Sequence, residues 1–385
     1  MKKVGIITIC KCNNYGAELQ AFATYRILTL LGYDAEIIDY IYYKTWNFKD
    51  SKMSCPLVPM GAKGKMLYWV KYRFVNALVD KVLPLFNKNV KKRRERFIEF
   101  HQKNSRFSRS FYSMADLYNH TPIYDAYLTG SDQVWNPSAS STIEPYFLTF
   151  APKGKKKIAY AASFGVSSIP NKLKDIYGKW LSSYNFIGVR ETVGVTLVKE
   201  LSGKEAEWVA DPTLLLNKEQ WKLFMRPYDG MPSKYVLIYQ LLPSETLLHM
   251  ALKVAQAKQC KVFYLAKRAF GVEVPKGIEV IYDAGPAEFL SLIANASCVV
   301  TNSFHGTAFS VNFGTPFYAV LKPNRGGNAR ITSLLGQIGL IDHIVYEGDS
   351  LSNIHDSSFN KLEAMNLLDE TRSKSLAYLK QALEQ

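Results

Sequence analysis

The chain has 385 residues, of which 48% are hydrophobic and 21% charged, with a formal net charge of +15. That is an ordinary globular balance, long for one domain and comfortable for two. No run of about 18 apolar residues occurs, which argues against a transmembrane helix. The five cysteines (Cys10, Cys12, Cys55, Cys260, Cys298) are odd in number and lie mostly in apolar stretches, as expected in a reducing cytoplasm.

The opening "MKKVGIITICKC" superficially mimics a signal peptide, but its apolar run is short and lacks a small-residue cleavage site, so "VGIITI" reads as a first β-strand. Cys10 and Cys12 have neither a second pair nor a nearby His, which makes a zinc site improbable. "NNYGAELQAFATYRILTLLGY" starts with turn residues and then shows helical spacing at Leu19, Phe22, Ala23, Ile27, Leu30 and Leu31, with Gly32 closing the helix. "DAEIIDY" follows as a second strand, completing a βαβ unit. Further strand-like runs are 126–130, 157–165, 186–191, 206–213, 235–241, 261–266, 278–284, 298–301 and 316–320. Helices are expected between most of them, including Glu245–Gln259 and 287–296.

This repeated alternation predicts an α/β protein of two doubly wound, Rossmann-like domains, 1–213 and 214–350. The polar, turn-rich 214–234 region marks their junction. A C-terminal helix within 351–385 is expected to pack back on the first domain. Two such domains facing one another would place a cleft outside the carboxyl ends of their strands.

Residues 61–110 hold 14 Lys/Arg against 3 Asp/Glu, interleaved with Trp69, Tyr72, Phe74, Phe86, Phe97 and Phe100. Read as a helical insertion, the segment is either a solvated face or a surface for a polyanion: an anionic membrane at the inner face of the cytoplasmic membrane, or a phosphorylated lipid carrier. No nucleic-acid motif accompanies it.

Three polar loops follow strands. Asn13-Asn14-Tyr15-Gly16 is either a helix cap or, through Asn14, Gly16 and the helix N–H groups, an anion site. "TGSDQVWN" offers Ser131, Asp132 and Gln133, which read as an Asx-type turn or as ligands. "TNSFHGTAFS" sets Asn302, Ser303, His305, Gly306 and Thr307 between a strand and a helix. There His305 is either a buried structural histidine or a proton-transfer group beside helix N–H donors.

Together, "NNYGAELQAFA", "LLGYDAEIIDY", "TGSDQVWNP", "KIAYAASFG", "GVRE", "VADPTLLL", "TNSFHGTAFSVNFGTPF" and "ARITSLLGQIGL" resemble the polysaccharide pyruvyl transferase family, in family order from about residue 4 to 340. The resemblance implies a glycosyltransferase-B-like architecture with an acceptor-side first domain and a donor-side second one. It also implies transfer of pyruvate from phosphoenolpyruvate to a sugar of a growing surface polysaccharide. Its catalytic His falls on His305, and its phosphoenolpyruvate-binding Arg falls on Arg190. Some ketal-forming members carry Arg two residues before the His; here that position is Ser303. One donor-binding charge is then either missing or supplied elsewhere, by Lys267, Arg268, Lys322, Arg325 or Arg330.

The expected chemistry protonates the methylene carbon of phosphoenolpyruvate, adds a sugar hydroxyl at C2, and closes a ketal with loss of phosphate. His305 is the proton-transfer group, and Asp132 is either the base for the hydroxyl or a turn carboxylate. No metal or other cofactor is demanded. The acceptor implied is a lipid-linked saccharide, for example one containing galactose. A nucleotide-sugar glycosyltransferase of the same fold, and a non-catalytic sensor or scaffold, are the competing readings.

Overall fold

A computed structural model describes residues 1–43, 45–49, 62–137, 143–350 and 361–385. Cys55, Gly61 at the start of the basic segment, and 351–360 of the expected C-terminal segment lie outside the described residues. The chain forms two compact units. The first comprises Met1–Phe86, His101–Leu215 and Ser373–Gln385; the second comprises Asn87–Phe100 and Leu216–Arg372.

The first unit is built on six parallel strands: β1 (Lys3–Ile7), β2 (Asp34–Ile37), β3 (Ala126–Thr129), β4 (Lys156–Ala162), β5 (Phe186–Val189) and β6 (Glu207–Trp208). Their order is β2-β1-β3-β4-β5-β6. The central strands are apolar along their length because helices cover both faces of a parallel sheet; all four residues of β3 are buried. The chain winds outward from β1 to β2, then crosses back to β3, so the β1/β3 junction is the topological switch point. Gly130 N–H donates to the Ile7 carbonyl at 2.9 Å and binds the two strand ends together. The helix Tyr15–Leu30 is capped by Asn14, whose Oδ1 accepts from Ala17 N–H at 3.3 Å. Beneath the sheet, Trp135 stacks on Phe147 at 5.1 Å between ring centroids. Residues 373–385 close this unit: Ser375 Oγ accepts from Ala210 N–H at 2.9 Å, and Tyr378 Oη donates to the Ala159 carbonyl at 2.9 Å.

The second unit has its own parallel sheet: β7 (Tyr235–Tyr239), β8 (Lys261–Leu265), β9 (Ile278–Ile281), β10 (Cys298–Thr301), β11 (Phe317–Leu321) and β12 (Ile344–Tyr346). The order β12-β11-β10-β7-β8-β9 is the dinucleotide-fold order, with its switch point between β7 and β10. Residues 87–100 belong to this unit through buried cations of the basic segment. Arg93, 5% exposed, donates from Nη1 to the Ala266 carbonyl at 2.8 Å, and Arg96 Nη1 donates to the Asp283 carbonyl at 2.9 Å. These two charges are therefore packing residues rather than part of a solvated face.

The strand and helix positions follow the sequence reading closely, with two corrections. The run 206–213 is a strand only at Glu207–Trp208. Asp211 accepts from Thr213 N–H at 3.0 Å, and Pro212 opens a helical turn, Pro212–Leu215, which ends extended structure. The short edge strand β12 was not expected, since three residues carry no readable alternation. No described helix is long and apolar enough to cross a membrane.

Candidate active site

In the first unit, the candidate residues after β3 and β5 meet around one buried guanidinium. Arg190, 1% exposed, donates from Nη1 to Asp211 Oδ2 at 2.7 Å and to Ser131 Oγ at 3.1 Å, while Nη2 lies 3.5 Å from Asp132 Oδ1. Ser131 Oγ donates to the same Asp211 oxygen at 2.7 Å. Burial alone would push Arg190 down; Asp211, Asp132 and Glu191 outweigh it and hold the arginine charged, above its ordinary range. Three carboxylates thus face one cation at this strand end.

Asp132 sits at φ +76°, an uncommon conformation for a side-chain-bearing residue. Its backbone explains the tolerance. The Asp132 carbonyl accepts from Ser163 N–H at 3.0 Å, and Oδ1 accepts from its neighbour Gln133 N–H at 2.8 Å. Gln133 Oε1 in turn accepts from Asn136 Nδ2 at 2.7 Å. The next loop has Gly165 at φ +64°, and a Cβ there would come within 2.7 Å of the Gln133 side chain. Asn14 and Gly16 stand at the start of the helix after β1, where Asn14 is the cap.

In the second unit, β10 ends at Thr301 and the helix Phe304–Phe313 begins three residues later. Ser303 is its cap: Oγ accepts from Gly306 N–H at 3.3 Å. Thr307 Oγ1 donates to the Ser303 carbonyl at 3.1 Å. Asn302 ties this loop to the one after β7, accepting from Leu241 N–H at 2.7 Å and donating to the Leu242 carbonyl at 2.8 Å. Gly306 is required by close approach, because a Cβ would overlap the Thr301 hydroxyl. His305 lies in the first helical turn, 7% exposed, edge-on to Phe304 with ring centroids 5.2 Å apart. The turn that carries it is fixed by the Ser303 cap and by the Asn302 bonds to the loop after β7. Arg330 lies in the first turn of the helix Ala329–Gln337, after β11. Lys267 and Arg268 after β8, and Lys322 and Arg325 after β11, are exposed.

The structure adds two acids that residue-by-residue reading did not single out. Asp211 is the charge partner of Arg190. Glu191 is buried, and its Oε1 accepts from Ser163 Oγ at 3.1 Å, Phe164 N–H at 2.7 Å and Gly165 N–H at 3.1 Å, fixing the loop after β4. Both lay inside stretches already notable, "GVRE" and "VADPT", as acids at strand ends.

The family model for polysaccharide pyruvyl transferase matches residues 14–321, most of the chain, including the loops after β3 and β10. The chain belongs to the polysaccharide pyruvyl transferase family. Membership makes it a transferase of polysaccharide pyruvylation. Of the pyruvyl transferase candidates named above, all but Arg330, Lys322 and Arg325 fall within the matched span. No curated protein matches the chain. Among solved structures, it is similar to UDP-GlcNAc 2-epimerase from Methanocaldococcus jannaschii, with 12% identity, 95% of this chain and 92% of that one covered, and a TM-score of 0.47. It is also similar to UDP-N-acetylglucosamine 2-epimerase from Rickettsia bellii, with 10% identity, 99% and 96% covered, and a TM-score of 0.47. UGT89C1 of Arabidopsis thaliana complexed with UDP gives 13% identity, 100% and 95% covered, and a TM-score of 0.45. At these scores no chemistry is transferred from them.

Proposed function

We propose that this pyruvyl transferase moves the three carbons of phosphoenolpyruvate onto a hexose of a surface-polysaccharide precursor as a pyruvate ketal, releasing phosphate. The observation that carries the reading is the family match together with His305 on the first helical turn at a switch point. In this proposal the second unit takes the donor. Its switch-point loop carries hydroxyls, amides and a histidine, with exposed Lys267, Arg268, Lys322 and Arg325 and half-buried Arg330 at the same ends of β8 and β11. Such a loop suits a dense anion.

A proton from His305 to the methylene carbon turns C2 into an oxocarbenium-like centre. A sugar hydroxyl adds there, the C2–O bond to phosphate breaks, and a second hydroxyl closes the ketal with release of its proton. Proton transfer of this kind contributes roughly 10²–10⁴-fold. Asp132, in the first unit, is the proposed base for the hydroxyl. Asn14, Gly16, Ser131 and Gln133 are proposed to support the acceptor, a lipid-linked saccharide such as a galactose-containing one, handled at the cytoplasmic membrane face. The family resemblance assigns Arg190 to the donor, but a phosphate or carboxylate would have to displace Asp211 from Nη1, and in this proposal the arginine instead holds Ser131 and Asp132 in place on the acceptor side.

The test is a thermal-shift panel of phosphoenolpyruvate against UDP- and GDP-sugars, followed by phosphate release with saccharide acceptors. Stabilisation by phosphoenolpyruvate and acceptor-dependent phosphate release support the reading. A shift with a nucleotide sugar alone assigns the activity to glycosyl transfer instead.

A further inference from the structure

Eighteen large apolar side chains are exposed among the described residues, and ten of them fall between Met66 and Phe86. This part of the chain, Ala62–Phe86, is helical throughout, with π-helical turns at Val70–Val75 and Leu78–Val82 between α-helical ones. Met66, Val70, Phe74, Leu78, Val82 and Phe86 recur every four residues and are all exposed. A four-residue step overshoots an α turn of about 3.6 residues and undershoots the wider π turn. Alternating the two keeps the six side chains in one row along one side.

The other side is anchored to the first unit. Arg73 Nη1 donates to the Tyr43 and Thr45 carbonyls at 3.1 and 2.7 Å, and the Lys81 ammonium lies 3.9 Å over the Trp46 ring. The run contains Lys63, Lys65, Lys71, Arg73 and Lys81 against Asp80 alone. Phe74 and Phe86 are 56% and 82% exposed, an unusual placement for phenylalanine in water.

We infer that Ala62–Phe86 is an interfacial docking element for a bilayer containing anionic lipid. The apolar row enters the acyl boundary while the exposed Lys63 and Lys71 stay at headgroup level. An apolar row with a one-sided excess of basic residues matches a negatively charged lipid surface in both of its physical properties. The inference is independent of the reaction proposed above, so its failure and that of the reaction are read separately.

The experiment uses the full chain with vesicles of phosphatidylcholine alone and of phosphatidylcholine with phosphatidylglycerol, and brominated phosphatidylcholine as a depth probe. Wild type should co-sediment with the anionic vesicles and weakly with the neutral ones. Brominated lipid should quench part of its tryptophan fluorescence, and Trp69→Phe should remove that quenched part. The triple variant Phe74→Ser/Leu78→Ser/Phe86→Ser changes only exposed side chains and should keep the wild-type melting temperature while losing about tenfold or more in partitioning. Three results would overturn the inference: no recovery on either vesicle; full recovery of the triple variant, which leaves charge alone; or, without vesicle binding, a wild-type dimer that the triple variant makes monomeric, which assigns the row to a second copy.

Discussion

The two switch points solve the same geometric problem with opposite chemistry. In the first unit, buried charge sits beside the switch point, across the ends of β3, β5 and β6, where Arg190 is enclosed by Asp211, Asp132 and Ser131 with Glu191 beside it. In the second unit, the switch-point loop is held by hydroxyl and amide bonds through Thr301, Asn302 and Ser303. Its buried ion network lies instead beyond β9. There Asp283 meets Lys92 at 2.9 Å and Arg96 at 3.4 Å, and Glu288 meets Arg96 at 3.2 Å and also Arg226. An acid-rich strand end repels phosphate and suits a hydroxyl substrate. One held by neutral hydroxyl and amide groups at a helix N-terminus does not repel an anion. The division of labour proposed here, acceptor on the first unit and donor on the second, is what that contrast favours.

The largest effect expected is on turnover. His305→Ala should lower kcat by about 10²–10⁴-fold in the phosphate-release assay while phosphoenolpyruvate binding, read by calorimetry, stays close to wild type. Near wild-type turnover would make the histidine a packing residue and remove the chemical half of the contrast.

Arg190→Ala should act first on folding. It strands Asp211 as a buried charge, which costs about 3–5 kcal/mol in denaturant unfolding. Adding Asp211→Ala should recover part of that loss, and a double-mutant cycle measures how much. If stability is untouched and only phosphoenolpyruvate affinity falls, Arg190 is a donor ligand and the first unit is not acid-dominated in function.

Gly306→Ala sharpens the second unit's side of the contrast. A methyl group overlapping Thr301 should cost about 1–3 kcal/mol through overpacking, seen as a lower urea midpoint. A neutral result would mean that the strand end is looser than its hydrogen bonds indicate.

The smallest effect concerns pH. Burial pushes the Asp283 carboxyl up, but Tyr228, Lys92 and Arg96 outweigh it and hold it below its usual range. A lowered folded value gives stability that is complete above the unfolded carboxylate value of about 4 and is lost as pH falls through the lower folded value. Asp283→Asn should therefore flatten the acid limb of urea midpoints measured from about pH 6 down to pH 3. An unchanged slope would show that the network beyond β9 is not an acid-sensitive contact.

Much of this molecule was legible in the linear chain wherever the cause is local. Runs such as "YVLIYQL" and "CVVT" announce buried parallel strands, and Asn14 and Gly32 announce helix ends, because continuous apolar runs, caps and left-handed glycines act within a few residues. The motifs also sufficed to place the chain in its family, which the match over residues 14–321 shows. What the sequence could not specify is which charges meet. Arg190 finds Asp211 only because β5 and β6 lie side by side in the sheet. Arg93 and Arg96, inside a segment that reads as uniformly basic, become packing residues only by bonding to atoms more than 170 residues away. Sheet order and long-range pairing are collective outcomes of packing. The same lysine- and arginine-rich sequence is compatible with a solvated face or a buried clasp until the tertiary structure selects which residues lose their water.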